Sequence, residues 1–263
     1  MAGDNLAFDC KRDRVKLRNC PEVEQMTRDD FKIKIFADGA DINGMKEMYK
    51  AGYISGFTTN PSLMKKAGVK DYEAFAVEAV KEINNLPLSF EAFSDDFETM
   101  EKEARKIGSL GDNVYIKIPI TNTKGESSTE LIRKLSSEGF KLNITAILTL
   151  AQVERVIKVI SPDSRTFISV FAGRIADTGV NPIPIMKQAA DICHGIKGVE
   201  SIWASTRELI NIFQAQDCGI DIITVTNDIL KKLPLIGKDL TQLSLDTVRM
   251  FHDDAKSLGY RIV

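Results

Sequence analysis

Lys117 is the only charge inside an apolar run, Val114-Tyr115-Ile116-Lys117-Ile118-Pro119-Ile120. A strand buried on both faces reads as nearly continuous hydrophobic sequence, so a charge there must be paired, neutralised or carried out to water. An amine whose pKa falls in apolar surroundings becomes a nucleophile toward a carbonyl carbon. The alternatives are a stem that snorkels to a rim, or an ion pair with Asp38 or Glu91. Those two carboxylates stand at or just past the ends of other short apolar runs. Unequal solvation would separate their pKa values and divide acid from base roles. A lysine with two carboxylates and a threonine hydroxyl is the equipment of Schiff-base carbon–carbon bond chemistry.

The same intrusion recurs along the chain. Besides Asp38, Glu91 and Lys117, polar groups close the runs at Thr58-Thr59-Asn60, at Asn143 with Thr145, at Ser169, and at Ser205 with Arg207. Two segments bring arginines, Phe171-Ala172-Gly173-Arg174 and Ala204-Ser205-Thr206-Arg207. Ser205 or Thr206 is expected to cap a helix from Glu208 onward, turning backbone N–H groups toward an anion. A phosphorylated substrate suits such a place. The competing reading of either arginine is a surface ion pair with a helix carboxylate.

These groups need elements to hold them. Short β-branched or aromatic runs lie at 32–37, 53–57, 87–93, 113–118, 140–146, 165–171, 199–204 and 220–225. Helical spacing fills 70–85, 97–110, 125–138, 149–160, 182–196 and 206–216. Strand–helix alternation implies parallel pairing, because parallel strands need a crossover of helix length. Eight strands in about 230 residues predict a single α/β domain, a closed (β/α)8 TIM barrel over 32–235 whose catalytic face gathers the strands' C-terminal ends. A doubly wound open sheet is the runner-up, weakened by Phe36-Ala37-Asp38-Gly39-Ala40, which lacks the glycine-rich fingerprint after the first strand. Residues 1–31 read as an N-terminal extension, and 236–263 as an extra amphipathic helix that covers the barrel or docks on another subunit.

Composition removes other classes. With 35 basic and 37 acidic side chains there is no cationic surface for a nucleic acid. No run approaches the ~18 apolar residues of a membrane span, and the first residues show no signal peptide. Cys10, Cys20, Cys193 and Cys218 are scattered, as expected of reduced thiols in a cytoplasmic protein. His194 and His252 lie far apart without ligand-spaced neighbours, which disfavours a zinc site or a Ser-His-Asp triad.

Several motifs together carry a family resemblance. Gly56-Phe57-Thr58-Thr59-Asn60-Pro61-Ser62-Leu63 resembles the second-strand signature of the transaldolase family. Ile116-Lys117-Ile118-Pro119 resembles the Schiff-base strand of its short transaldolase and fructose 6-phosphate aldolase branch. Asn143-Ile144-Thr145, Ile168-Ser169-Val170-Phe171-Ala172-Gly173-Arg174 and Ala204-Ser205-Thr206-Arg207 are similar to its fifth, sixth and seventh strand motifs.

The resemblance implies that Lys117 forms the Schiff base and that Asp38 handles the proton of the donor's cleavable hydroxyl. Glu91 and Thr145 would hold the water that shuttles protons. Thr58, Asn60, Asn143 and Ser169 would bind the dihydroxyacetone portion, and Arg174, Ser205 and Arg207 the phosphate. It implies transfer of a dihydroxyacetone unit between sugar phosphates with no metal or organic cofactor. It also implies a homo-oligomer, a decamer in the small members. Glu91 and Phe171 match transaldolases proper, where the aldolases of this branch carry glutamine and tyrosine. An aldolase-like lyase and a catalytically silent sugar-phosphate-binding barrel are the alternatives.

Overall fold

The computed structural model describes residues 31–263. The expected extension therefore lies outside the described residues except for Phe31, and Cys10 and Cys20 lie outside them too. Eight strands run in sequence order: β1 (Lys34–Asp38), β2 (Gly56–Thr58), β3 (Leu88–Glu91), β4 (Val114–Pro119), β5 (Leu142–Ile147), β6 (Thr166–Val170), β7 (Val199–Trp203) and β8 (Ile222–Thr226). Each pairs parallel with the next and β1 closes on β8, so the sheet is a closed barrel. The barrel was the expected fold, and the open-sheet runner-up falls on that closure.

Helices return the chain between strands: α1 (Ile42–Lys50), α2 (Pro61–Ala67), α3 (Tyr72–Glu82), α4 (Phe97–Gly108), α5 (Thr129–Ser137), α6 (Leu150–Ile157), α7 (Ala172–Asp177), α8 (Ile183–His194), α9 (Ile210–Asp217) and α10 (Asn227–Leu230). Their starts follow capping chemistry. Asp71 and Asp96 accept from the N–H groups of Ala74 and Thr99, and Thr149 with Gln152 forms a capping box. Their inner faces are spaced for burial, as with Met100, Ala104 and Ile107 of α4. Each such Met or Ile contributes roughly 1.5–3 kcal/mol on leaving water. The helices α1, α2, α7 and α10 fall outside the expected helical stretches: α2, α7 and α10 are two turns or fewer, too short to display a 3.6-residue period, and α1 buries only Met45.

Alternate residues of each strand fill the barrel interior. Within it Phe36, Tyr115, Phe167, Ile202, Ala204 and Ile222 form one buried cluster. Tyr115 stacks on Phe167 at 3.9 Å between centroids, and Phe36 meets Phe167 edge-on at 5.7 Å. Gly56 makes room for this plug, since a β-carbon there would lie 2.5 Å from Phe36 Cζ. The barrel is thus a solid floor under the site, not a pore. Outside it, Cys193 and Cys218 are buried free thiols, and burial pushes Cys193 up to about 12, well away from thiolate chemistry.

Phe31–Leu235 is one compact unit, and Ile236–Val263 falls outside it. That last stretch contains α11 (Leu240–Ser257), started by Asp239, whose side chain accepts from Gln242 N–H. Among the described residues no helix is long and apolar enough to cross a membrane.

Candidate active site

The C-terminal ends of the strands surround a cavity of about 490 Å³. Its walls include Asp38, Thr58, Asn60, Glu91, Lys117, Thr145, Ser169, Arg174, Ser205 and Arg207, so every anticipated site residue but Asn143 reaches it. Eight separate strand ends converge because parallel strands all point the same way, which sequence order alone does not display.

Lys117 sits on the cavity floor. Glu91 and Lys117 are register partners on β3 and β4, and Glu91 Oε2 lies 3.0 Å from Lys117 Nζ. The ammonium also donates to the Thr59 carbonyl at 2.7 Å. The lysine is buried, so the paired alternative is realised and the snorkelling one is not. Two of its three N–H donors are thereby used, and the third is available to the cavity. The end of β3 is itself anchored: Tyr72 of α3 donates from its hydroxyl to the Glu91 carbonyl at 2.8 Å and packs edge-on against Phe93.

Asp38, at the end of β1, accepts from the Thr58 hydroxyl at 2.8 Å. The Thr58 hydroxyl also contacts the hydroxyl of Thr224 on β8. Loss of hydration raises the Asp38 pKa above its ordinary value; the Lys117 charge and the Thr58 bond oppose that, and Glu91 adds to it. Asp38 and Lys117 therefore act on each other across the cavity without forming an ion pair.

Asn143, the register partner of Lys117 on β5, is fully buried and does not line the cavity. Its Oδ1 accepts from Ser169 Oγ at 2.7 Å, and its amide donates to Ser89 Oγ at 3.1 Å. It can therefore orient Ser169 toward a ligand. Farther along β5 the register shifts between Ile144 and Ile147, and Ala146 takes a left-handed φ of 59°. Bulges re-aim side chains at such rims. Next to this one, the Thr145 hydroxyl is buried and makes no hydrogen bond within the protein. A buried hydroxyl facing a cavity in that state suits a small polar guest such as water.

At the far rim Ser205 has a left-handed φ of 63°. This turn crosses the start of α7 so closely that a β-carbon on Gly173 would lie 1.7 Å from the Ser205 carbonyl oxygen. Arg174 places its guanidinium 5.6 Å from the Phe171 ring centroid. Arg207 is held by Asp177 of α7 through Nε–Oδ1 and Nη2–Oδ2 contacts of 3.1 and 2.6 Å, the surface ion pair that was its alternative reading.

The expected helix cap is not formed. Thr206 donates instead to the Thr224 carbonyl at 2.8 Å, α9 begins only at Ile210, and no side chain caps it. The N–H groups of Arg207 and Glu208 are both taken by Asn211 Oδ1 at 3.0 Å, so they do not face an anion. Asn60 has a double duty of its own: its side-chain Oδ1 caps α2 by accepting from Leu63 N–H, which leaves its amide donors for the cavity.

Sequence reasoning passed over Thr224 and Thr226, which line the cavity from β8. Threonine is an ordinary strand former, so Ile222-Ile223-Thr224-Val225-Thr226 looked like unmarked strand. Its period-2 placement of hydroxyls was the available signal. Ser89, Tyr72 and Asp177 were missed for a different reason, since each acts through a partner distant in sequence.

Residues 35–262 match the family model described as Transaldolase/Fructose-6-phosphate aldolase. Among curated proteins, a probable transaldolase of Caldicellulosiruptor saccharolyticus is 38% identical over 76% of this chain and 89% of its own length. A probable transaldolase of Thermoanaerobacter is 33% identical over 88% of this chain and 100% of its own. One from Methanococcus maripaludis is 34% identical over 81% and 97%. Among solved structures, a dihydrodipicolinate synthase of Rhodopseudomonas palustris superposes with a TM-score of 0.52 at 14% identity, covering 84% of this chain and 81% of that one. One from Thermotoga maritima gives 0.53 at 11% identity, covering 87% and 82%. At such identities the structural likeness speaks for the barrel alone.

Proposed function

The chain belongs to the transaldolase/fructose-6-phosphate aldolase family, and from that premise we propose that it is a transaldolase acting through an imine on Lys117. The donor is a ketose phosphate such as fructose 6-phosphate or sedoheptulose 7-phosphate, and the acceptor is an aldose phosphate. The observation that carries this reading is the buried Lys117 ammonium, 3.0 Å from Glu91 on the floor of a cavity whose rim holds Arg174 and Arg207.

Glu91 accepts a proton from the ammonium, and the neutral amine adds to the ketose carbonyl. Loss of water from the carbinolamine, assisted by Glu91 and Thr145, gives the iminium ion. Asp38 then removes the proton of the cleavable hydroxyl. The bond between the third and fourth donor carbons breaks, its electrons flow into the iminium, and an aldehyde phosphate leaves. Ser169, steadied by Asn143, binds the dihydroxyacetone portion together with Asn60, while Arg174, Arg207 and Ser205 receive the phosphate. Phe171 has no hydroxyl to deliver a proton to the enamine, so the enamine persists until an acceptor aldehyde arrives and the steps reverse.

The same proposal takes the enzyme as a cytoplasmic homo-oligomer in which the apolar face of α11 meets a second subunit. Borohydride reduction in the presence of fructose 6-phosphate, followed by peptide mapping, should leave a stable adduct on Lys117. Absence of an adduct with substrate bound would leave only a binding barrel. Free dihydroxyacetone released without acceptor, at a rate comparable to transfer, would instead make the protein a lyase.

A further inference from the structure

We propose that Thr224, on the eighth strand, is a positioning residue that locks the Thr58 hydroxyl onto Asp38 and sets that carboxylate for proton transfer. The proposal rests on the reading that Asp38 handles the proton of the cleaved bond.

The argument starts from hydrogen counting. Thr58 has one hydroxyl hydrogen, and its oxygen has two other hydrogen-bonding neighbours, Asp38 Oδ1 and Thr224 Oγ1. A carboxylate only accepts, so while Asp38 is ionised the Thr58 hydrogen must go to Asp38. Thr224 must then donate to Thr58. Asp38 Oδ2, which makes no bond to Thr58, is the oxygen left to take the substrate's proton, and the Thr224–Thr58–Asp38 hydrogens keep their places while it does. The only proton that changes owner is the one Asp38 receives and later returns.

Placement supports the same role. Asp38 pairs in register with Thr58 on one side and with Thr226 on the other, so β1 is flanked by the two strands that carry the hydroxyls. Thr224 is buried, and its own carbonyl accepts from Thr206 Oγ1, which fixes its backbone. Fixed dipoles of this kind need no reorganisation when charge moves. Thr58 then has little capacity left for substrate, and its main partner is the carboxylate.

Three proteins decide the matter: wild type, Thr224→Val, which keeps shape and removes the hydroxyl, and Thr224→Ser, which restores it. Each is incubated with fructose 6-phosphate, trapped on Lys117 with borohydride, and followed in a single turnover for release of the aldehyde phosphate. All three should trap equally. Release should slow on the order of 10–100-fold in Thr224→Val, a part of the ~10²–10⁴ that a general base supplies. Thr224→Ser should remain within about threefold of wild type, and the acid limb of the rate–pH profile should move in the valine variant alone. Release at the wild-type rate from Thr224→Val, or equal loss in the serine variant, would overturn the role of Thr224 while the imine reading stood. A wild-type protein that traps nothing would bring down both.

Discussion

Glu91 and Lys117 face each other at the same height on adjacent strands, 3.0 Å apart, with side chains only 18% and 8% exposed. A pair so enclosed is costly to break from one side, because the remaining charge has little water to turn to.

Lys117→Met should therefore lose both activity and stability. Turnover should vanish, since among the described residues no other lysine lines the cavity. Removing one partner of a buried pair costs ~3–5 kcal/mol, and the partial exposure of Glu91 places the expectation near the lower figure. The double variant Lys117→Met/Glu91→Gln should recover most of that stability and none of the activity. Urea midpoints for the three proteins test this; equal stability of the single and double variants would mean that Glu91 is adequately solvated by itself.

Asp38 supplies a pH prediction with a definite sign. Its pKa is raised above 3.8 in the folded chain, chiefly by loss of hydration. The folded state then holds this proton more tightly than the unfolded chain does. Its contribution to stability is full below the unfolded value and is lost as pH rises through the folded one. Asp38→Asn should stabilise the protein at pH ~8 relative to wild type and do much less at pH ~4, while abolishing cleavage. Denaturant titrations at the two pH values check it. A stability difference that shrinks as pH rises would reverse the sign.

The barrel was legible because each strand is a short apolar run and helices such as α3, α4 and α8, of about three turns, show their period. The lysine was legible for the same reason, as the one charge that breaks its run. What stayed hidden depended on distance in sequence. The Thr224 contact with Thr58 and the Asp177 grip on Arg207 join segments 166 and 30 residues apart. The missing cap at Ser205 had a different cause: its left-handed backbone turns the chain where a capping residue would be extended. Nothing in Ala204-Ser205-Thr206-Arg207 announces that strain.

Gly173 tests the far rim without touching a charge. Any β-carbon at this position would meet the Ser205 carbonyl at 1.7 Å, and that atom is backbone, so the turn itself must move. Gly173→Ala should cost about 1–3 kcal/mol, as overpacking does. It should also raise KM for phosphorylated substrates more than it lowers kcat, because Ser205 and Arg207 ride on the displaced turn. An unchanged KM would mean that the turn does not hold the phosphate.

Asp177 makes the last prediction, since it holds a guanidinium assigned to substrate. The two contacts, at 3.1 and 2.6 Å, lower the Asp177 pKa through hydrogen bonding to Arg207. A phosphate arriving at Arg207 meets this carboxylate as a like charge in a solvent-exposed setting. The repulsion is small there and shrinks further with salt. Asp177→Asn keeps a hydrogen-bond acceptor for the guanidinium and deletes the charge. Inorganic phosphate, used as a competitive inhibitor, should then bind roughly threefold more tightly at low ionic strength, with the advantage fading above about 0.15 M salt. Weaker binding in the variant would show that the charge of Asp177 is needed to aim Arg207 and that positioning outweighs the repulsion.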